Sequence, residues 1–475
     1  MCVSLGAGAS GIGAARELLS AGIPSIILEA RDRTGGRVVQ HVLEKNLTAH
    51  RDPSGDEGSR VVVQLGANWI HNCSAEVNPL YALAQQLGIG LHMTSPDDSP
   101  GSDVLLFDSA GDAGGLSGAA TCAALPPEEY QSLMARWAWI SDHLDNEYPF
   151  QDTSDSLLAA LRELTEASAA PALPFGPLSD RDRRGLNWCF ARLSIDSARP
   201  INAVSRHTIC DQSSTGEHGE GLVQGGYYSL FQRLVAEFPL DIRLRHVATS
   251  VTTDDYGGVT VTCSNGEVFT ADACVVTLPV PVLQSGAVSF TPPPPELARW
   301  TDSRTITGGL MNLVWLWYPE VFWPDNGTNF FGLMHADDHT PPFTTFLAPP
   351  MFDQHGVRQA VLLCQVFGDF ARAIEDMSDK DIATVATAEL RKMFGPSVPT
   401  AVGCTHSAWA SDPFAQCSWA TFPSNPAGLK IAGGRDSVYF AGEATMTEFR
   451  GTVHAAYLSG QREAAKIIRR FGAAE

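Results

Sequence analysis

The chain has 475 residues, 44% hydrophobic and 18% charged. That is more than one hydrophobic core usually organises and too apolar for wholesale disorder, so two domains are expected. Lys+Arg 32 against Asp+Glu 53 gives a formal net charge of −21, with only five lysines and no basic run. A nucleic-acid partner, which needs clustered cations to displace counterions, is excluded from the expectation, whereas a negative field suits a small cation.

Ten cysteines are scattered without a CxxC pair, which argues against a disulfide framework, structural zinc or an iron–sulfur cluster. No metal site is expected. No apolar run is long enough for a membrane span, since residues 274–283 are interrupted by Pro279 and Pro281. The chain enters a strand at once, leaving no room for a signal peptide, so a soluble protein is expected. Compartment and oligomeric state stay open. The sequons at Asn46, Asn72 and Asn326 permit secretion without establishing it.

In chain order, Cys2-Val3-Ser4-Leu5 reads as a short apolar strand and Gly6-Ala7-Gly8-Ala9-Ser10-Gly11 as a glycine turn. A helix is expected over 12–21, closed by Gly22. A strand buried on both faces follows over 23–29. Pro126 and Pro127 open a helix whose Leu133, Trp137, Ile140 and Leu144 recur at helical spacing, a core stripe. Residues 95–117 and 168–179, rich in Pro, Gly, Ser and Asp, read as loops. Strands resume near Ile242, and a hairpin turns at Asn265-Gly266. Residues 273–278 form another buried strand, and 292–295 a stiff proline connector. Val438-Tyr439-Phe440-Ala441 is the last strand, and a helix begins near Thr452.

A GxGxxG turn alone also serves structurally, but this one stands between a strand and a helix, with Glu29 ending the second strand. In such a unit Gly6 permits the tight turn, Gly8 lets a pyrophosphate approach, and Gly11 lets helix and strand pack. The uncapped helix start offers N–H groups to phosphates. Glu29 would accept both ribose hydroxyls, which disfavours a 2′-phosphorylated cofactor. Gly35-Gly36-Arg37 adds open backbone and a guanidinium fork. No GxSxG, HExxH or GxxxxGK[ST] is present, so neither nucleophilic nor metal catalysis is suggested.

Four blocks together resemble the flavin-containing amine oxidase family, which includes polyamine oxidases, monoamine oxidases and flavin-dependent histone demethylases. They are Leu28-Glu29-Ala30-Arg31-Asp32-Arg33-Thr34-Gly35-Gly36-Arg37, Leu65-Gly66-Ala67-Asn68-Trp69-Ile70-His71, Val276-Thr277-Leu278-Pro279-Val280-Pro281-Val282-Leu283, and Tyr439-Phe440-Ala441-Gly442-Glu443-Ala444-Thr445 continued by residues 452–460. The resemblance implies an α/β protein. Its Rossmann-like FAD-binding domain would be assembled from residues 1–75, 222–300 and 400–475, beside an α+β substrate-binding domain of 76–221 and 301–399. It places adenosine near Glu29, Ala30, Arg31 and the backbone at Val247, and the phosphates near Gly6, Gly8, Ser10, Gly11, Gly36, Arg37, Gly442 and Glu443. The flavin ring would meet Gly66, Ala67, Asn68, Trp69, Thr452 and Val453. The positive end of the helix beginning at Thr452 would stabilise negative charge on the reduced ring.

The implied reaction is oxidation of a small-molecule amine to an imine that water hydrolyses, with dioxygen reduced to hydrogen peroxide; a polyamine or other secondary amine is expected. His71 stands where polyamine-oxidising relatives carry a His or an acid near the amine, although a structural histidine is the alternative. Trp419 would supply an aromatic wall unless it is core packing. Leu313 occupies the place of a lysine thought to hold a water at the flavin N5, which opens a desaturase or dehydrogenase reading. Thr452 replaces a second aromatic. Cys417 has the spacing of a covalent flavin cysteine, but a small buried residue is the alternative, and non-covalent FAD is expected. A primary monoamine or L-amino acid oxidase, and a flavin-binding protein without turnover, stay open.

Overall fold

A computed structural model describes residues 1–44, 60–94, 104–110, 122–146, 157, 159, 173–199, 203–204, 219–303, 306–324, 330–335, 343–352, 356–421 and 437–471. In chain order the elements that position the site are β1 (Cys2–Leu5), α1 (Ala9–Ser20), β2 (Ser25–Leu28), β3 (Trp69–His71), β4 (Leu91–Thr94), β5 (Glu220–Val223), β6 (Asp241–Arg243), β7 (Ala273–Val276), β8 (Met311–Trp317), β9 (Val361–Phe367), β10 (Val438–Phe440) and α2 (Val453–Phe471).

Parallel strands need a long crossover rather than a hairpin turn, and α1 supplies one between β1 and β2. β6, β2, β1, β7 and β10 form a five-stranded sheet in that order, and each neighbouring pair is parallel. Val3 lies between Ile26 and Cys274 in register. Every residue of β1 and β7 is buried. Of β2 only Ile27 and Leu28 are, so the expectation of a strand buried on both faces holds for its second half alone. The sheet draws on the start, middle and end of the chain, and its carboxyl ends converge where the glycine turn leaves β1.

α1 begins at Ala9, three residues before the expected start, because Gly8 already serves as its N-cap in an extended conformation. α1 and α2 pack at backbone contact. A Cβ on Gly460 would fall 2.0 Å from the Ser10 carbonyl oxygen, and one on Gly13 would fall 2.7 Å from that of Tyr457. Glycine at both places brings the two helices together. The expected Asn-Gly hairpin is present between Val259–Cys263 and Val268–Ala271, with Gly266 at a φ of +86°.

β8 and β9 pair antiparallel within a seven-stranded sheet, around a core that includes Trp323, Phe331, Phe343 and Phe346. Residues 104–108 form one of its strands, inside the stretch 95–117 expected to be a loop. Val104, Leu105 and Leu106 find parallel partners in Phe330, Phe331 and Gly332, and that pairing outweighs the surrounding turn composition. β5 is the middle of a three-stranded antiparallel sheet with β3 and β4. No helix among the described residues is long and apolar enough to cross a membrane, and none of their His, Cys, Asp and Glu side chains cluster as a metal site. Of the sequons, Asn72 is buried; Asn46 and Asn326 lie outside the described residues, as do 168–172, Cys210, Lys45 and Lys430, while 173–179 are loop and turn as expected.

Candidate active site

A cavity of about 560 Å³ opens at the carboxyl ends of the parallel strands, where α/β sheets hold ligands. Gly6, Gly8, Ser10, Glu29, Ala30, Arg31, Gly36, Arg37, Gly66, Ala67, Asn68, Trp69, Val247, Gly442, Glu443, Thr452 and Val453 all line it, and so do His71, Leu313 and Trp419. Gly11 and Cys417 stand behind the wall. Gly11 packs the turn, since a Cβ there would fall 1.9 Å from the Gly6 carbonyl oxygen.

Glu29 is almost wholly buried. Its carboxylate accepts from the backbone N–H of Ala7 at 2.7 Å and of Arg31 at 2.9 Å, which fixes its orientation at the end of β2. Arg31 does not reach into the cavity as a free cation: it grips both oxygens of Asp412 at 2.7 and 2.6 Å and lies over the Phe414 ring. Arg37 pairs with Glu443 Oε1 at 3.0 Å and donates to the Ser418 carbonyl at 3.0 Å. Burial opposes its charge, but Glu443 and the Cys417 sulfur outweigh that and raise its pKa above the ordinary value.

Cys417 is 1% exposed, and burial pushes its thiol up to about 12 against the lowering effect of Arg37. A protonated thiol is a poor nucleophile.

The last helix brings its N-terminus to the cavity through Thr452, whose Oγ1 accepts from the Ala455 N–H at 3.1 Å and donates to the Phe449 carbonyl at 2.6 Å. His454, one residue into α2, is neutral: burial first, and the His71 charge second, lower it to about 3. Trp419 packs on Gly451, where an added Cβ would fall 3.1 Å from the indole.

Three lining residues carry no weight in the sequence reading. Trp409 closes over Gly66, whose missing Cβ leaves room for it; its backbone N–H donates to the buried Asn312 Oδ1 at 3.1 Å. Gln365 faces Leu313 across β8 and β9 and is the one amide in an otherwise apolar strand. Arg450 lines the cavity beside Gly451. The signal for Trp409 is its membership of the segment that carries Trp419; Gln365 leaves none, because only strand pairing brings it beside Leu313.

A bound cofactor fits this wall. Glu443 Oε2 is buried without a partner among the described residues, so it is an acceptor waiting for a donor. The first turn of α1 has no side-chain cap and no acid, so its N–H groups face the cavity as an anion site. Gly6, at a φ of +105°, has no room for a side chain beside Thr277 Oγ1.

A family model for flavin containing amine oxidoreductases matches residues 9–468. The chain belongs to that family. This amine oxidoreductase is 30% identical over 469 residues to Polyamine oxidase 4 of Oryza sativa subsp. japonica, covering 96% of this chain and 86% of that one. It is 30% identical over 485 residues to Polyamine oxidase 2 of Arabidopsis thaliana, covering 99% and 89%. Lysine-specific histone demethylase 2 of Homo sapiens is 27% identical, with 98% of this chain aligned to 53% of that protein. A redesigned putrescine oxidase superposes with a TM-score of 0.70 at 20% identity, covering 99% of both chains. That likeness shows the fold: α/β with a Rossmann-like parallel sheet. The amine oxidoreductase is a flavin enzyme acting on amine donors.

Proposed function

We propose that this enzyme oxidises a polyamine or another secondary amine at the carbon next to nitrogen, with non-covalent FAD and with dioxygen as the final acceptor. Overall, one secondary amine, one dioxygen and one water give one aldehyde, one primary amine and one hydrogen peroxide. The names of the two plant relatives support the substrate class. The observation that carries the reading is that one cavity is lined both by Glu29 with the glycine turn and by His71 with Trp69, Trp409 and Trp419.

Glu29 would accept hydrogen bonds from the ribose hydroxyls, and the first turn of α1 would donate N–H groups to the pyrophosphate. Bound FAD supplies a two-electron acceptor for the hydride equivalent leaving the amine's carbon. The indoles of Trp69, Trp409 and Trp419 wall the substrate and keep water from its reacting carbon. His71 meets the nitrogen as a hydrogen-bond acceptor and helps hold the amine neutral. The N-terminus of α2, capped by Thr452, presents its positive end to the cavity. Burial and the high thiol pKa of Cys417 support a flavin held without a thioether.

The test is an anaerobic titration with spermine, spermidine, tyramine, phenethylamine and amino acids, followed by admission of air. Bleaching by spermine or spermidine, with peroxide on aeration, is expected. Bleaching by tyramine or an amino acid alone overturns the substrate class. Leu313 supports a second reading, a dehydrogenase or desaturase, which predicts bleaching by the amine with no peroxide on aeration. Acid precipitation is expected to leave the yellow colour in the supernatant, and colour in the pellet overturns non-covalent attachment.

A further inference from the structure

Glu220 appears nowhere among the motif residues and does not line the cavity, yet it is built against His71, which does. It opens β5, the middle strand of its sheet, and stands in register opposite His71 on β3 and Thr94 on β4. Directly opposed residues of antiparallel strands carry their side chains on the same face. His71 Nδ1 and Glu220 Oε2 accordingly share a hydrogen bond. The backbone of His71 is held as well: its carbonyl accepts from Asn78 Nδ2 at 2.6 Å, while Asn78 Oδ1 caps the following helix.

Glu220 is mostly buried, with 15% of its side chain exposed against 34% for His71, so the carboxylate sits behind the ring. Its Oε1 is buried without a partner among the described residues. Nδ1 is the ring nitrogen engaged by the protein and His71 lines the cavity, which leaves Nε2 to a ligand.

We infer that Glu220 is a positioning residue of this enzyme: it takes the Nδ1–H of His71, fixes the tautomer, and so turns the Nε2 lone pair toward the amine. This rests on the proposed amine chemistry. An arriving ammonium passes one proton to Nε2, its N–H bond breaking as the Nε2–H bond forms. The nitrogen keeps its electron pair, and the imidazolium stands between the amine and the Glu220 carboxylate until it releases the proton to solvent. The other titratable groups around the pair fit this direction. His454 of α2 stays neutral under burial and the His71 charge, and Cys73 beside Glu220 stays a thiol, raised to about 11 by burial first and Glu220 second. Arg450, in the same cavity wall, adds one fixed positive charge.

The test compares holoenzyme, Glu220→Gln, His71→Asn and the double variant by the pH dependence of kcat/KM for the best amine of the panel. Glu220→Gln keeps an acceptor for Nδ1–H but loses the charge. We expect it to fold with full flavin content, to lose about tenfold or more in kcat/KM, and to move the acidic limb down by about one pH unit. His71→Asn removes that limb, and adding Glu220→Gln then costs nothing further. An unmoved limb in Glu220→Gln, or additive losses in the double variant, overturns the inference. Nitrogen NMR of labelled histidine, assigned with His71→Asn, reads the pairing without turnover. A protonated Nδ1 with a bare Nε2 in holoenzyme, lost in Glu220→Ala, is expected, and a bare Nδ1 overturns the inference. If no amine bleaches the flavin, the functional reading fails and the NMR result alone decides the pairing.

Discussion

His454 shows how one side chain reports its surroundings. Its ring lies against Phe449, and its Nε2 is buried without a partner among the described residues. Its pKa of about 3, against an ordinary value of 6.5, makes folding pH-dependent. Between those values the unfolded chain binds a proton that the native state does not, so stability falls as pH drops from about 6.5 towards 3. The slope from this one group approaches about 1.4 kcal/mol per pH unit. Urea midpoints of the holoenzyme from pH 7 to pH 4 are expected to fall less steeply in His454→Gln than in the parent. Equal slopes would mean that His454 is protonated in the folded protein. At this scale the motifs made Glu29, Arg37 and Glu443 readable, because each belongs to a short run with fixed spacing. Glu220 was unreadable, since an acid outside any motif looks like every other acid until strand pairing sets it opposite His71.

The two helices flanking the cavity depend on each other through glycine. With Gly460 against the Ser10 carbonyl and Gly13 against that of Tyr457, a side chain at either place meets backbone, which cannot rotate away. Gly460→Val is expected to destabilise the protein by about 3 kcal/mol or more and to lower flavin content, because moving α2 moves Thr452 and Val453 with it. Thermal melts together with the flavin-to-protein absorbance ratio check this; a full flavin complement with an unchanged Tm would show that the helices have room to part. α2 was recognisable from Thr452 onward, and its placement on α1 was not. Gly460 reads in sequence as a poor helix former, and only the crossing explains it.

Across the whole molecule the charge of −21 sets a long-range field. A polyamine carrying two or more positive charges is expected to bind with a kcat/KM that falls several-fold between low salt and about 0.5 M salt, while a monoamine changes far less, since screening shortens the reach of the field. Stopped-flow reduction at varied ionic strength measures it. Equal salt dependence for both substrates would remove electrostatic steering from the account. Four strands of the parallel sheet were legible as apolar runs with a glycine turn, while the fifth, Asp241–Arg243, carries a single apolar residue; their order was not legible, since nothing local in Val438–Phe440 says that it lies beside Ala273–Val276.

By itself the sequence determined the chemistry of the cradle, because a glycine turn, an acid and an arginine at short spacing are local and need only their own backbone. Tertiary structure alone decided which side chains share the cavity. Strand register set Glu220 against His71 and Gln365 beside Leu313, and burial put Cys417 behind the wall. Those are contacts between residues far apart in the chain, and the pairing that creates them is fixed by packing of the whole fold rather than by any neighbouring residue.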